Sequence, residues 1–162
     1  MKKVKLSYTE IAGLHSVLKE LSDKPLPMKF AIARNFTALE EANAKYQSEK
    51  EALHMKYVVV SDGGMAIVKQ QFREHIDKMQ AIPYQWFEYN SLEEEKELLD
   101  KLFKLGKQEV ELSLTQEDLQ RTVKIKSNGS YESLTLQEAL DDPSADINAD
   151  AISVLLKYEI LK

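Results

Sequence analysis

Cysteine is absent from this chain of 162 residues, which removes disulfides, thiolate nucleophiles and every cysteine-ligated metal site. A reducing compartment is compatible with that absence. Glycine and proline are scarce, at five and four. None of the glycines falls in a G-x-x-x-x-G-K-S/T, G-x-G-x-x-G or G-x-S-x-G pattern, so phosphate-cradling loops and a nucleophile elbow have no support. The three histidines, His15, His54 and His75, lack the spacing of a metal motif such as H-E-x-x-H. Glu74 next to His75 would lie on a different helix face, and all three histidines are expected at the surface.

Long apolar runs are missing too. No stretch approaches about 18 consecutive apolar residues, so no membrane span is expected. After the basic Met1-Lys2-Lys3, the segment Val4-Lys5-Leu6-Ser7 is too polar for a signal peptide. Positive charge is in the minority, with 22 Lys and Arg against 27 Asp and Glu. A net charge of −5 argues against broad phosphate-driven nucleic-acid binding and favours solubility. Hydrophobic residues at 43% and charged residues at 30% nevertheless describe a chain able to build a core. Area scaling predicts that folding would bury roughly 69% of the unfolded surface.

Helical spacing dominates the first part. Ser7 and Glu10 have capping-box spacing. Ile11, Leu14, Leu18 and Leu21 then mark one face of a helix over 8–21, which Ser22-Asp23-Lys24-Pro25 ends. From Pro27, a favourable helix start, no glycine or proline intervenes until Gly63. Within that span Ile32, Phe36, Leu39, Asn43, Tyr46, Lys50, Leu53 and Tyr57 alternate spacings of four and three. That 3.5-residue repeat keeps one seam toward a partner helix, and polar Asn43 and Lys50 at a-type positions can fix register or oligomeric state. Two readings follow: a helix facing the chain's own core, or a self-associating coiled coil whose interface is Ile32, Phe36, Leu39, Asn43, Tyr46 and Leu53.

Tyr57-Val58-Val59-Val60 and Met65-Ala66-Ile67-Val68 flank Ser61-Asp62-Gly63-Gly64 as a hairpin. Residues 69–82 read as a helix with Phe72, Ile76 and Met79 on one face. After Pro83 come four aromatics in six residues. If extended, they send Tyr84 and Trp86 one way and Phe87 and Tyr89 the other. They are either strand-like core or an exposed binding candidate. Ser91 and Glu94 cap a leucine-rich helix that Gly106 closes.

The last third alternates. Val110, Leu112 and Leu114 predict a half-buried strand, Thr115 with Asp118 a short helical turn, and Val123 and Ile125 a strand turning at Asn128-Gly129 toward Tyr131–Leu134. Thr135 and Glu138 cap another short helix; Asp141-Asp142-Pro143-Ser144 is a linker, and Ala149–Leu161 a terminal helix. Asp146-Ile147-Asn148-Ala149-Asp150 mimics the start of a calcium loop, but Ala151 and Lys157 occupy the places of the turn glycine and closing acid. Asp146 or Asn148 is better read as a helix N-cap. Glu40-Glu41 and Glu93-Glu94-Glu95 read as solvated acidic runs. The expectation is one α+β domain over 1–162: an N-terminal antiparallel helical hairpin with a long second helix, then short strands, hairpins and helices. Residues 1–106 form the mainly helical part and 107–162 the mixed part.

Leu21–Lys29, Ala31–Asn35, Glu49–Leu53, Lys56-Tyr57 with the Asp62-Gly63 turn, Glu109–Leu112 and Ile147–Ala149 together form a recognisable order. In that order the chain resembles a loose group of short proteins encoded by tailed bacteriophages. It departs from them at Lys50, where arginine is expected, and in the hairpin at Asn128-Gly129. The resemblance implies a small phage protein acting by assembly or by binding, with no catalytic residues to carry over. With the four-three spacing and the lack of metal-ligand motifs, the expectation is a non-enzymatic structural or accessory protein of the host cytoplasm or virion, working by self-association or assembly, with no cofactor and no metal. The alternative is a binding module that captures a host protein or small ligand, such as a counter-defence protein. Partners are then a second copy or another protein, with no nucleic acid and no membrane.

Overall fold

The computed structural model describes residues 1–24, 28–127, 129–142 and 147–162. The protein is α+β, with β1 (Lys2–Ser7), α1 (Tyr8–Ser22), α2 (Lys29–Tyr57), α3 (Leu92–Gly106), β2 (Glu109–Leu114), β3 (Thr122–Ser127), β4 (Ser130–Thr135), α4 (Leu136–Asp141) and α5 (Ala149–Lys157). No helix among the described residues is long and apolar enough to cross a membrane. The chain gathers into two compact units, one of Met1–Asn43 with Glu109–Lys162 and one of Ala44–Gln108. The boundary at 43/44 falls inside α2.

The first unit begins with a strand absent from the sequence reading. β1 pairs antiparallel with β2, in a register running from Lys2↔Leu114 to Ser7↔Glu109. Ser7 then caps α1 by accepting from the Glu10 N–H, while Glu10 Oε1 accepts from the Ser7 N–H at 3.1 Å, the expected reciprocal box. Ile11, Leu14, Leu18 and Leu21 are fully buried, each contributing about 2 kcal/mol. α2 returns antiparallel to α1, so that His15 in mid-α1 stacks on Phe36 of α2 with centroids 4.5 Å apart. The proline boundaries expected at Pro25 and Pro27 lie outside the described residues.

Asn35 of α2 is wholly buried and clamps Thr115, just beyond β2. Its Nδ2 donates to the Thr115 carbonyl at 2.9 Å and its Oδ1 accepts from the Thr115 N–H at 2.6 Å, as a neighbouring strand would. The helical turn expected from Thr115 to Asp118 does not form. Glu117 N–H donates to the Ile160 carbonyl, Leu119 N–H to that of Lys162, and Lys162 N–H back to Glu117, so extended pairing consumes the donors a turn needs. β3 and β4 form the expected hairpin, with Gly129 at φ +82°; Asn128 lies outside the described residues. Thr135 and Glu138 form a complete capping box on α4.

The terminal helix is shorter than expected. Asn148 caps α5 by accepting from the Asp150 N–H, whereas Asp146 and Pro143-Ser144 lie outside the described residues. The helix ends at Lys157 because Glu159 turns left-handed, at φ +56°. Ile160 N–H then reaches the Leu155 carbonyl and Glu159 N–H that of Leu156, a Schellman ending. Ile160 and Leu161 are buried in the extended tail that follows.

In the second unit the expected hairpin forms, with Val60 bridged to Ala66 and the Ser61 N–H donating to the Met65 carbonyl, and a third short segment joins it. Ile67 N–H donates to Val59, Val59 N–H to Glu88, and Glu88 N–H to Ile67, at 3.0, 2.8 and 2.8 Å. The ring closes on itself, with antiparallel bridges Val58↔Tyr89, Val60↔Ala66 and Val68↔Phe87 around it. Gly64 at φ +78° makes the turn. Ser91 caps α3, whose Leu98, Leu102 and Leu105 are buried.

Candidate functional site

The three-segment ring determines where the aromatic stretch goes. Lys69 N–H donates to the Trp86 carbonyl at 2.7 Å, and Lys69 Nζ to that of Gln85 at 2.9 Å. Together with the Val68↔Phe87 bridge, these bonds tie the neck of a loop spanning 70–85, the closed-ended form of an Ω-loop. The helix expected over 69–82 is replaced by a 3-10 turn, Gln70–His75. No side chain caps it, and Phe72 is drawn onto Trp86, ring planes 3° apart and centroids 5.0 Å apart. Ile76 and Met79, expected on a buried face, are 40% and 91% exposed.

Tyr84–Trp86 is a second 3-10 turn, and this overturns the expected alternation of the aromatics. With three residues per turn, positions i and i+3 share a side, so Tyr84 and Phe87 point together. Both meet the edge of His54, at 5.1 and 4.6 Å between centroids, and Tyr89 joins them at 6.2 Å. Trp86 alone leaves for the loop. Burial pushes the Tyr89 phenol up to about 12, with Glu95 adding to the effect, and its hydroxyl donates to the Tyr84 carbonyl at 2.7 Å. Burial likewise raises Tyr84.

His54 corrects the expectation of surface histidines. It is 5% exposed, because three aromatic rings close over it, and burial lowers its pKa. Its Nε2 has no hydrogen-bond partner among the described residues. His15 is half-buried under Phe36, with Asn43 Nδ2 3.4 Å from its Nδ1. His75 stays exposed.

Trp86 walls a pocket of about 160 Å³, together with His75, Asp77, Gln80, Ala81, Ile82 and Pro83. Local bonds shape its rim: Asp77 Oδ1 accepts from the Met79 N–H at 2.8 Å, and the Asp77 carbonyl from the Gln80 N–H at 3.1 Å. The sequence reading did not include Asp77 or Gln80, although an aspartate two residues before a free backbone N–H is the signal of an Asx turn. A shallower depression of about 440 Å³ lies in the first unit along Phe30, Ala33, Arg34, Thr37 and Ser113.

The six proposed interface residues of α2 divide differently. Ile32, Leu39 and Tyr46 are buried in the single chain, and Phe36, Asn43 and Leu53 are half-buried. Asn43, read as a register-setting residue, meets His15 of the same chain. Lys50 lies over the Tyr46 ring at 4.6 Å, and burial lowers its pKa. Among the described residues, no group of three or more His, Asp or Glu side chains is placed to hold a metal ion. Comparison with family models, with curated proteins and with solved structures finds no match to this chain.

Proposed function

We propose that the chain is a non-enzymatic phage accessory protein that captures another protein through the 70–85 loop and Trp86. The observation that carries this reading is a tied loop whose aromatic wall is half-buried while Met79 stands 91% exposed on the same loop. Such a surface can bury a large apolar area on contact without first reorganising, and Trp is the commonest anchor of binding energy. The phage setting comes from the resemblance in element order. Burial of Ile32, Leu39 and Tyr46 weighs against self-association along the α2 seam, because exposing that seam would open the chain's own core.

The test pairs capture with mass. Protein immobilised away from the loop is exposed to bacterial host lysate as wild type, Met79→Glu and Trp86→Ala. A specific partner is expected on the wild type and lost from both variants. The melting temperature of Met79→Glu should not change, since the residue it alters is exposed. Light scattering at micromolar and higher concentration is expected to give a constant monomer mass. Capture that survives both substitutions, or a mass that grows with concentration, overturns the reading.

A further inference from the structure

Resting on that reading of the loop, we propose that the Trp86 pocket receives the cationic side chain of a lysine or arginine from the partner. A volume of about 160 Å³ suits one long side chain and not a helix or a cofactor. Asp77 is the one carboxylate lining it, and no lysine or arginine lines it among the described residues. One Asp77 oxygen is held by the Met79 N–H, which orients the carboxylate. Among the described residues no cation lies within ion-pairing distance of it. Glu74 and Lys78, its charged neighbours in sequence, offset one another and line no part of the pocket.

The aromatic wall completes the recognition. Phe72 stacks parallel on Trp86, which fixes the indole plane before a ligand arrives. An indole beside a carboxylate is the pairing that favours a guanidinium or ammonium, through the ring quadrupole on one side and a charge-assisted hydrogen bond on the other. An anionic side chain meets Asp77 with like charge. An apolar one strips water from that carboxylate without replacing it. The net charge of −5 adds attraction for a basic partner at long range.

Trp86 is the only tryptophan, so a nitrogen-15 spectrum shows a single indole N–H signal that reports on this pocket. The probes are four capped tripeptides of the form Gly-X-Gly, with X as lysine, arginine, norleucine or glutamate. The lysine and arginine peptides are expected to shift the indole signal saturably, and the other two are not. Asp77→Asn keeps an oxygen for the Met79 N–H, so its ligand-free indole position should hold while affinity falls about tenfold or more. An equal response to norleucine, an unchanged response in Asp77→Asn, or no shift at tens of millimolar peptide overturns the assignment. Partner capture that needs Met79 and Trp86 without any lysine response removes only the cation. A lysine response without any captured partner removes the proposed function and leaves the site.

Discussion

Glu159 carries a conformation that suits glycine. At φ +56° its Cβ crowds the following carbonyl, at a cost of about 1–2 kcal/mol. The Schellman bonds that require it place Ile160 and Leu161 in the core, and burial of those two side chains outweighs the strain. Its carboxylate pairs with Lys2, both side chains being about half exposed, and such pairs contribute about 0–1 kcal/mol. Glu159→Gly should therefore stabilise the protein by about 0.5–1 kcal/mol, read as a higher urea midpoint with an unchanged slope. A lower midpoint would show that the lost ion pair and the added freedom of glycine in the unfolded chain together outweigh the strain. The sequence shows no sign of this residue's role, because a left-handed C-terminal position is marked by glycine in most chains and here the position is filled by Glu.

At the scale of elements, local signals were the readable ones. The boxes at Ser7/Glu10 and Thr135/Glu138 and the cap at Ser91 work within four residues, so the sequence states them outright. Strand β1 was missed although Val4 and Leu6 alternate with lysines, since its partner lies more than a hundred residues away. The Asn35 clamp is equally remote. It replaces two ladder bonds at the end of β2, and Asn35→Ala leaves the N–H and carbonyl of half-buried Thr115 without these partners. A loss of about 2–3 kcal/mol is expected, measured by urea unfolding. A loss near zero would mean that water enters and replaces the side chain. The helix expected over 69–82 failed because its apolar spacing was real while its burial was not: Phe72 found Trp86, and Ile76 and Met79 found solvent.

At the scale of the molecule, the two compact units are interleaved in sequence. The change of character read at 106/107 lies two residues from the boundary at 108/109, and the boundary at 43/44 leaves no mark in the uninterrupted pattern of α2. Part of the pH dependence belongs to the second unit, beside the lowered Glu10 and raised Tyr158 of the first. His54 is held below the ordinary histidine value of 6.5 by burial, so as pH falls the unfolded chain takes up its proton first. The contribution of His54 is complete above about pH 6.5 and is lost below it. Tyr89, raised from 10.0 to about 12, acts in the opposite sense: the unfolded chain ionises first, and stability is lost as pH climbs from 10.0 toward 12. Urea midpoints should thus fall on both sides of a plateau, and His54→Phe should flatten the slope between about pH 7 and pH 5.5. An unchanged acid slope in that variant would move the effect to other groups. Legible from the residues alone were α1, α2 and α3, the caps at Ser7, Ser91, Thr135 and Asn148, and the β3–β4 hairpin, because each rests on hydrogen bonds and periodicities that close within a few residues. Long-range packing set the rest: Ile32, Leu39 and Tyr46 of α2 turn inward, His54 is buried, and Trp86 parts from its aromatic neighbours to wall a pocket. Those outcomes depend on which distant side chains compete for the same buried space, and spacing along a chain does not encode that competition.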